Sequence, residues 1–352
     1  MLRDEVISYL GESWEATCAY ISKALSTDIP LLQAVNDSLL SHSGKMLRPI
    51  VSLLVADLIN GGVVPDDALR FAAAAELLHN ATLLHDDVAD ESDTRRGEPT
   101  LRSKLGPAAA VLVGDFWLSR AVTLVVDSDH CNDVVKIFSK TLTDLAEGEM
   151  LQMEKAQDAD TDEQDYFRII YCKTASLFVV SAEAAAIATD ATQEQLKAAI
   201  DYASALGTAF QIKDDILDYD GDGSLGKPVG IDLLEQKITL PLLCAMKDSP
   251  QEAQIRKMVK DIPQHPQYCE QIRKFVDGQD GVRKASLVLE EYVNKALAAL
   301  EIFPQSRAKE YLSLLARYNS IRTIRDLLTL QEMQMCAGRL PGWLIPGGFP
   351  TL

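Results

Sequence analysis

Two five-residue acidic clusters of identical spacing each end a long apolar helical run, and this pairing constrains the chain more than any other feature. The first, Asp86-Asp87-Val88-Ala89-Asp90, follows the run from Phe71 to Leu84. The second, Asp214-Asp215-Ile216-Leu217-Asp218, follows the run from Tyr202 to Ile212, and the glycines Gly221 and Gly223 are expected to end its helix. Residues i and i+4 share a helix face, so Asp86 and Asp90 point the same way with Asp87 beside them, and the second cluster repeats the pattern. Three crowded carboxylates repel one another unless a cation stands between them. Carboxylate oxygens without histidine or cysteine spacing suit Mg2+, which takes one or two carboxylates, keeps water and completes its shell with phosphate oxygens. A single cluster among 52 acidic residues is equally explained as a solvated helix end. Two matched clusters facing each other across a cavity can hold several Mg2+ ions on one diphosphate.

Almost every segment of the 352 residues has helical periodicity or is too long for a strand, as in Leu101 to Val126 and Phe167 to Thr189. The fold class is therefore all-α. No composition break divides the chain, so residues 1–352 are expected to form one large domain, and no repeat of solenoid length occurs. A net charge of -18 argues against a nucleic-acid partner, and any anionic substrate must be held by local cations. The six cysteines are dispersed, which predicts reduced thiols and a cytoplasmic setting. No signal-type apolar core follows Met1, and no uncharged run of about twenty residues predicts a transmembrane segment.

In chain order, residues 1–40 read as amphipathic helices covering the core or a partner. Gly44-Lys45-Met46-Leu47-Arg48-Pro49 marks a helix boundary with two cations close together, a pattern that an ordinary basic turn also explains. Pro65-Asp66-Asp67 starts the helix that carries the first cluster. From Phe71 to Leu84 that helix is apolar nearly all round, so it is buried or lines a greasy tunnel; His79 within it reads, by itself, as a packed residue. Arg95 and Arg96 just downstream suit a diphosphate. Asp144, Glu147, Glu149 and Gln152 lie on a helix whose polar side faces either a cavity or solvent, and residues 154–165 are expected to be a surface connection. The glycine-rich segment 220–228 is expected to be a surface loop, and 242–335 to be helical with a proline-containing joint at Asp261 to Pro266. The stretch 337–352, with Trp343 and Phe349 among prolines and glycines, reads as a non-helical apolar tail that docks on its own core or a partner, with peripheral membrane contact the lesser option.

From about Gly44 to Pro241 the chain resembles the trans-type polyprenyl diphosphate synthases of the isoprenoid synthase family, with both aspartate motifs in the family's order. The resemblance implies a bundle of ten or more mostly antiparallel helices around a central cavity, a homodimer, and three Mg2+ ions with substrate bound, held by Asp86, Asp90 and Asp214. Asp87, Asp215 and Asp218 complete the catalytic motifs. The family's Gly-Lys-Arg-x-Arg-Pro segment binds isopentenyl diphosphate, which carries over to Lys45 and Arg48, while Met46 stands where the family has arginine. By the same match His79 and Arg96 serve isopentenyl diphosphate, and Arg95 the allylic diphosphate. Lys173 reaches the allylic diphosphate, Thr174 and Gln211 turn dipoles toward positive charge, and Lys227 and Lys237 close over the diphosphate. The implied reaction is ionisation of the allylic diphosphate, attack by the double bond of isopentenyl diphosphate, and loss of a proton.

Counting back from Asp86, the fifth, eighth and eleventh residues are Ala81, Leu78 and Ala75, on roughly one face, the last about 16 Å from the motif. Ala81 and Thr82 leave open the level at which short-chain members carry aromatics. A long product, beyond geranylgeranyl and suited to a quinone side chain, is the expectation, unless Phe116, Trp117 or Phe138 closes the tunnel from a facing helix. A short-chain synthase is the alternative. A class I terpene cyclase would need a different second motif, a metal phosphohydrolase built on His85-Asp86 would need more than five scattered histidines, and a non-catalytic synthase subunit would lack motif residues kept here.

Overall fold

The structure is a computed structural model that describes residues 2–41, 44–95, 98–219 and 230–321. Helix α1 (Leu2–Ala24) bends at Gly11, which adopts φ 47°, and α2 (Pro30–Ser41) begins on proline. These are the expected covering helices: α1 inserts Val6, Leu10 and Ile21 into the core. Buried Asn36 of α2 donates to the Leu25 carbonyl at 2.8 Å and accepts from the Trp117 indole at 2.9 Å. Helix α3 (Leu47–Ile59) follows Met46, whose φ of 50° turns the chain into it.

Helix α4 (Asp66–Ala89) starts with Asp66 and Asp67 at its positive end, where carboxylates are favoured. Every residue from Phe71 to Leu78 is buried, as α4 is wrapped by α1, α3 and the helical stretches 107–126 and 176–188. Burying Phe71, Leu77 and Leu78 contributes about 1.5–3 kcal/mol each. Beyond α4, β1 (Thr94–Arg95) and β2 (Glu98–Pro99) form a minimal antiparallel pair, the one departure from an all-helical chain among the described residues.

The run expected from 101 to 126 is two helices, α5 (Leu101–Leu105) and α6 (Pro107–Val126), because Gly106 at φ 86° ends the first and Pro107 opens the second. Helix α7 (Cys131–Asp158) continues into the stretch expected to be a surface connection, which shrinks to four residues. Lys155 pairs with Asp165 across that turn at 2.9 Å, and an Asp162/Asp165 capping box opens α8 (Glu163–Ile170). A π turn, Tyr171–Ala175, joins α8 to α9 (Ser176–Ala188). Helix α10 (Gln193–Tyr219) carries the second motif at its end. After it come α11 (Ile231–Leu234), α12 (Leu240–Met246), α13 (Glu252–Lys260), α14 (Tyr268–Gly278), α15 (Gly281–Ala299) and α16 (Arg307–Ile321), with the proline joint between α13 and α14. The main core gathers α1, α3, α4, α6, α9 and the first half of α10, and smaller cores link the second half of α10 to α8, α12 and α15 and to α13 and α14.

Two helical stretches are long and apolar enough to cross a membrane by length and composition alone, Pro107–Val126 and Glu163–Ala188, and both carry charged residues. The second is packed inside the protein. The first carries Asp115 and Arg120 and is partly covered. Cys18, Cys131, Cys172, Cys244 and Cys269 are free thiols. The tail 337–352, and Gly221 and Gly223 with the expected loop around them, lie outside the described residues.

Candidate active site

The three carboxylates of the first motif go to three different environments. Asp86 is half-buried, and burial pushes its carboxyl up to about 6; Lys173 and Arg95 pull against that shift, while Glu149 and Asp90 add to it. Asp90 is exposed where α4 ends. Asp87 is buried and accepts from Arg95 Nε at 2.7 Å, so it positions the arginine instead of sharing the open face of Asp86 and Asp90. One residue along a helix is a turn of about 100°, which is enough to send it into the core.

Opposite stand side chains from α7 and the π turn. Lys173 Nζ pairs with Glu149 at 2.6 Å, and Glu149 also accepts from Gln152 Nε2 at 3.0 Å. The open question about the polar side of α7 therefore splits by residue: Glu149 and Gln152 belong to the site, whereas Asp144 and Glu147 pair with Lys140 and Arg168. Two glycines seat the π turn. A Cβ on Gly148 would lie 2.5 Å from Cys172 Cβ, and one on Gly207 would lie 2.6 Å from Ala175 Cα, so α7 and α10 both press on the turn that carries Lys173 and Thr174.

In the second motif Asp214 is half-buried, whereas Asp215 is buried between two donors, Tyr166 Oη at 2.6 Å and Gln211 Nε2 at 2.9 Å. Gln211 Oε1 in turn accepts from Thr174 Oγ1 at 2.7 Å. Burial pushes the Asp215 carboxyl well above the usual range, with Asp232 adding to the shift and the two donors opposing it. Asp218 accepts from the backbone N–H groups of Gly230 and Ile231 at 3.2 Å and of Asp232 at 3.3 Å. It thus ties the end of α10 to the start of α11. Burial raises its carboxyl, and those three N–H groups oppose the rise.

Asp232, which sequence reasoning missed, is pushed up to about 7 by burial and by Asp218, with Lys237 opposing. Lys237 pairs with Glu235. Burial disfavours the Lys237 charge, but Glu235, Asp232 and Asp90 outweigh burial and raise its value. The preceding residue, Gln236, sits at φ 60° and donates to the Lys260 carbonyl at 2.9 Å, which fixes the turn that presents the lysine. Local sequence carries no signal for Asp232 or Tyr166, because only the packing of α8 and α11 on α10 gives them partners.

Of the remaining expected residues, Lys45 lies 5.7 Å from the Tyr318 ring centroid and Arg48 4.9 Å from that of Phe178, so cations from the α3 turn are braced on aromatics of α16 and α9. Thr82 donates to the His79 carbonyl at 2.8 Å, leaving both on one turn of α4. Ala75, Leu78 and Ala81 are buried in the main core. Phe138 is buried, Trp117 is held by Asn36, and Phe116 lies under the Arg120 guanidinium at 4.9 Å. Arg96 and Lys227 lie outside the described residues.

Among the described residues no three His, Cys, Asp or Glu side chains converge to enclose a metal by themselves. Asp86, with Asp90 on the same face and its ionised form disfavoured by burial, is an open oxygen donor set that fits Mg2+ completed by water and substrate oxygens.

Comparison with known proteins gives the family. The polyprenyl synthetase family model matches residues 29–276. The octaprenyl diphosphate synthase of Escherichia coli is 39% identical over 300 residues, 85% of this chain and 92% of that protein. The crystal structure of a decaprenyl diphosphate synthase from Rhodobacter capsulatus superposes with a TM-score of 0.82 at 34% identity, covering 90% of this chain and 98% of that one. A Caulobacter crescentus polyprenyl synthase, complexed with calcium and isoprenyl diphosphate, gives the same TM-score and identity over 91% and 98% of the two chains. The chain belongs to the polyprenyl synthetase family, the trans-prenyltransferases.

Proposed function

We propose that this protein joins isopentenyl diphosphate to an allylic diphosphate, head to tail, at a Mg2+ site held by Asp86, Asp90 and Asp214, and repeats the step to a long all-trans product. The observation that carries the reading is that one turn serves both acidic helix ends: Lys173, whose charge bears on Asp86, pairs with Glu149 at 2.6 Å, and its neighbour Thr174 is joined through Gln211 to Asp215. Carboxylates and a lysine brought together in this way suit a dianionic group bound between the two motifs. The calcium and isoprenyl diphosphate of the Caulobacter relative support the same ligand class. Since side chains from separate cores meet at this one site, the chain is read as one working domain.

Mg2+, when bound, neutralises the charge that develops on the departing diphosphate. Lys173, Lys237 and Arg95 supply hydrogen bonds and positive charge to the same oxygens. Lys45 and Arg48 hold isopentenyl diphosphate near the start of α3, and His79 and Arg96 join them by family likeness. Thr174 and Gln211 turn oxygen dipoles toward the allylic cation, while the apolar wall of α4 keeps water away. Asp86, Asp90 and Asp214 serve the metal and take no proton in the reaction; the departed diphosphate accepts it. Small side chains at Ala75, Ala81 and Thr82 leave room for a growing tail, and the long-chain relatives support a long product.

The exposed apolar side chains on α6 and α7, among them Leu112, Val126, Met150 and Met153, suit a second copy of the chain, so a homodimer is proposed. A cytoplasmic setting is proposed from the free, dispersed thiols. The test is incubation of the purified chain with isopentenyl diphosphate, an allylic primer and Mg2+, followed by mass analysis of the dephosphorylated products. Products longer than twenty carbons, lost on chelation and shortened by Ala81→Phe, are expected. Failure to consume isopentenyl diphosphate would overturn the reading.

A further inference from the structure

We propose that Tyr166 is a positioning residue for Thr174: by holding Asp215 it orients Gln211, so that the threonine presents its oxygen lone pairs to the cavity. The inference rests on the prenyl-transfer reading of the site and adds a residue that neither motif contains.

Four side chains form a continuous series. Tyr166 Oη donates to Asp215 Oδ2 at 2.6 Å, Gln211 Nε2 donates to Asp215 Oδ1 at 2.9 Å, and Thr174 Oγ1 donates to Gln211 Oε1 at 2.7 Å. The direction of each bond follows from its neighbours. A carboxyl oxygen at 215 takes the amide N–H of Gln211, which leaves the amide oxygen for the threonine hydroxyl. That hydroxyl has one proton, and the amide oxygen takes it. Its lone pairs are then turned toward the cavity, the orientation that favours developing positive charge. Tyr166 is 3% exposed and lies among Ile170, Ile212 and Leu289, and burial keeps its phenol protonated and therefore a donor.

The backbone explains how the two ends of the series reach one face. Gln211 and Asp215 are i and i+4 on α10. Tyr166 and Thr174 are eight residues apart, which in an unbroken α-helix leaves them about 80° out of line. The π turn Tyr171–Ala175 lies between them, and one α turn plus one wider π turn takes up about eight residues, which brings both side chains over α10. Gly148 and Gly207 leave the space in which that turn is seated.

The test separates charge sensing from general binding. Two probes are titrated by calorimetry into the purified full-length chain with Mg2+: an allylic ammonium analogue supplied with inorganic diphosphate, and an allylic thiolodiphosphate that resists ionisation. Tyr166→Phe is expected to weaken the ammonium analogue about tenfold and to change thiolodiphosphate affinity less than about twofold. Turnover should fall about tenfold, with both Michaelis constants nearly unchanged. In a Thr174→Val background, Tyr166→Phe should add almost nothing, because the end of the series is already gone. Equal losses for both probes, or no loss for either, would overturn the positioning role. Wild-type protein that binds neither probe would overturn the reading of the site itself, and the inference with it. If Tyr166→Phe does not fold, Asp215→Asn, which keeps an acceptor for Gln211, should retain ammonium binding that Asp215→Ala loses; equal binding by the two overturns the proposal.

Discussion

The two aspartate motifs have the same spacing and opposite surroundings. In the first, Asp87 forms an ion pair with Arg95 and Asp90 stays exposed at the end of α4. In the second, Asp215 is buried between the neutral donors Tyr166 and Gln211, and Asp218 is occupied by three backbone N–H groups of the α11 turn. Equal spacing therefore does not mean equal duty. On the proposed reading the first motif offers its outer pair, Asp86 and Asp90, to a cation and the second offers Asp214, whereas Asp215 and Asp218 hold side chains and backbone in place.

The largest expected effect falls where the motifs agree. Asp86→Ala and Asp214→Ala should each lower turnover by roughly a thousandfold or more while the helical circular dichroism stays that of the wild type. Near-normal turnover in either variant would break the metal assignment for that motif.

The third positions are where the motifs should part. Asp90→Asn is expected to raise the Mg2+ concentration needed for half-maximal rate about tenfold, because it removes an oxygen donor. Asp218→Ala should leave Mg2+ dependence within about twofold and lower turnover about tenfold, since the α11 turn loses its acceptor and, with it, the placement of Lys237. If both variants shift Mg2+ dependence alike, Asp218 is a ligand and the contrast between the motifs fails.

That contrast is also where sequence reading reached its limit. The i, i+4 rule placed Asp86 and Asp90 on one helix face, and most of the apolar run before Asp86 is buried as its composition predicted. The same rule did not say that Asp87 and Asp215 turn into the core, because a helical wheel shows which residues share a face and not which face meets protein. The spacing puts Asp218 on one face with Asp214 and carries no sign of the N–H groups of residues 230–232 that it accepts from. Asp232 and Tyr166 were invisible because each gains meaning only from a residue distant in sequence. Gly106, by contrast, was a readable break inside the run 101–126, overlooked because the apolar pattern continues on both sides of it.

The smallest effect is a pH dependence of stability that again differs between the motifs. Burial pushes Asp86 up to about 6 and Asp232, beside the second motif, up to about 7, against an unfolded carboxyl value of 3.8. A raised carboxyl value means that the folded state holds a proton that the unfolded chain has already released. Between about pH 4 and 7 the folded protein binds more protons, so stability falls as pH rises through that window, the reverse of an ion-paired carboxylate. The melting temperature of the metal-free protein should therefore drop by a few degrees from about pH 5 to pH 7.5. At the proposed metal site Mg2+ with inorganic diphosphate would bind the ionised form of Asp86, so its stabilising increment should be larger at about pH 7.5 than at pH 5. Asp86→Asn should flatten the drop below about pH 6 and leave the part nearer pH 7, which belongs to Asp232. A melting temperature that rises across this range would show that the cations around Asp86, Lys173 and Arg95, outweigh its burial, and the two motifs would then respond to pH in opposite directions.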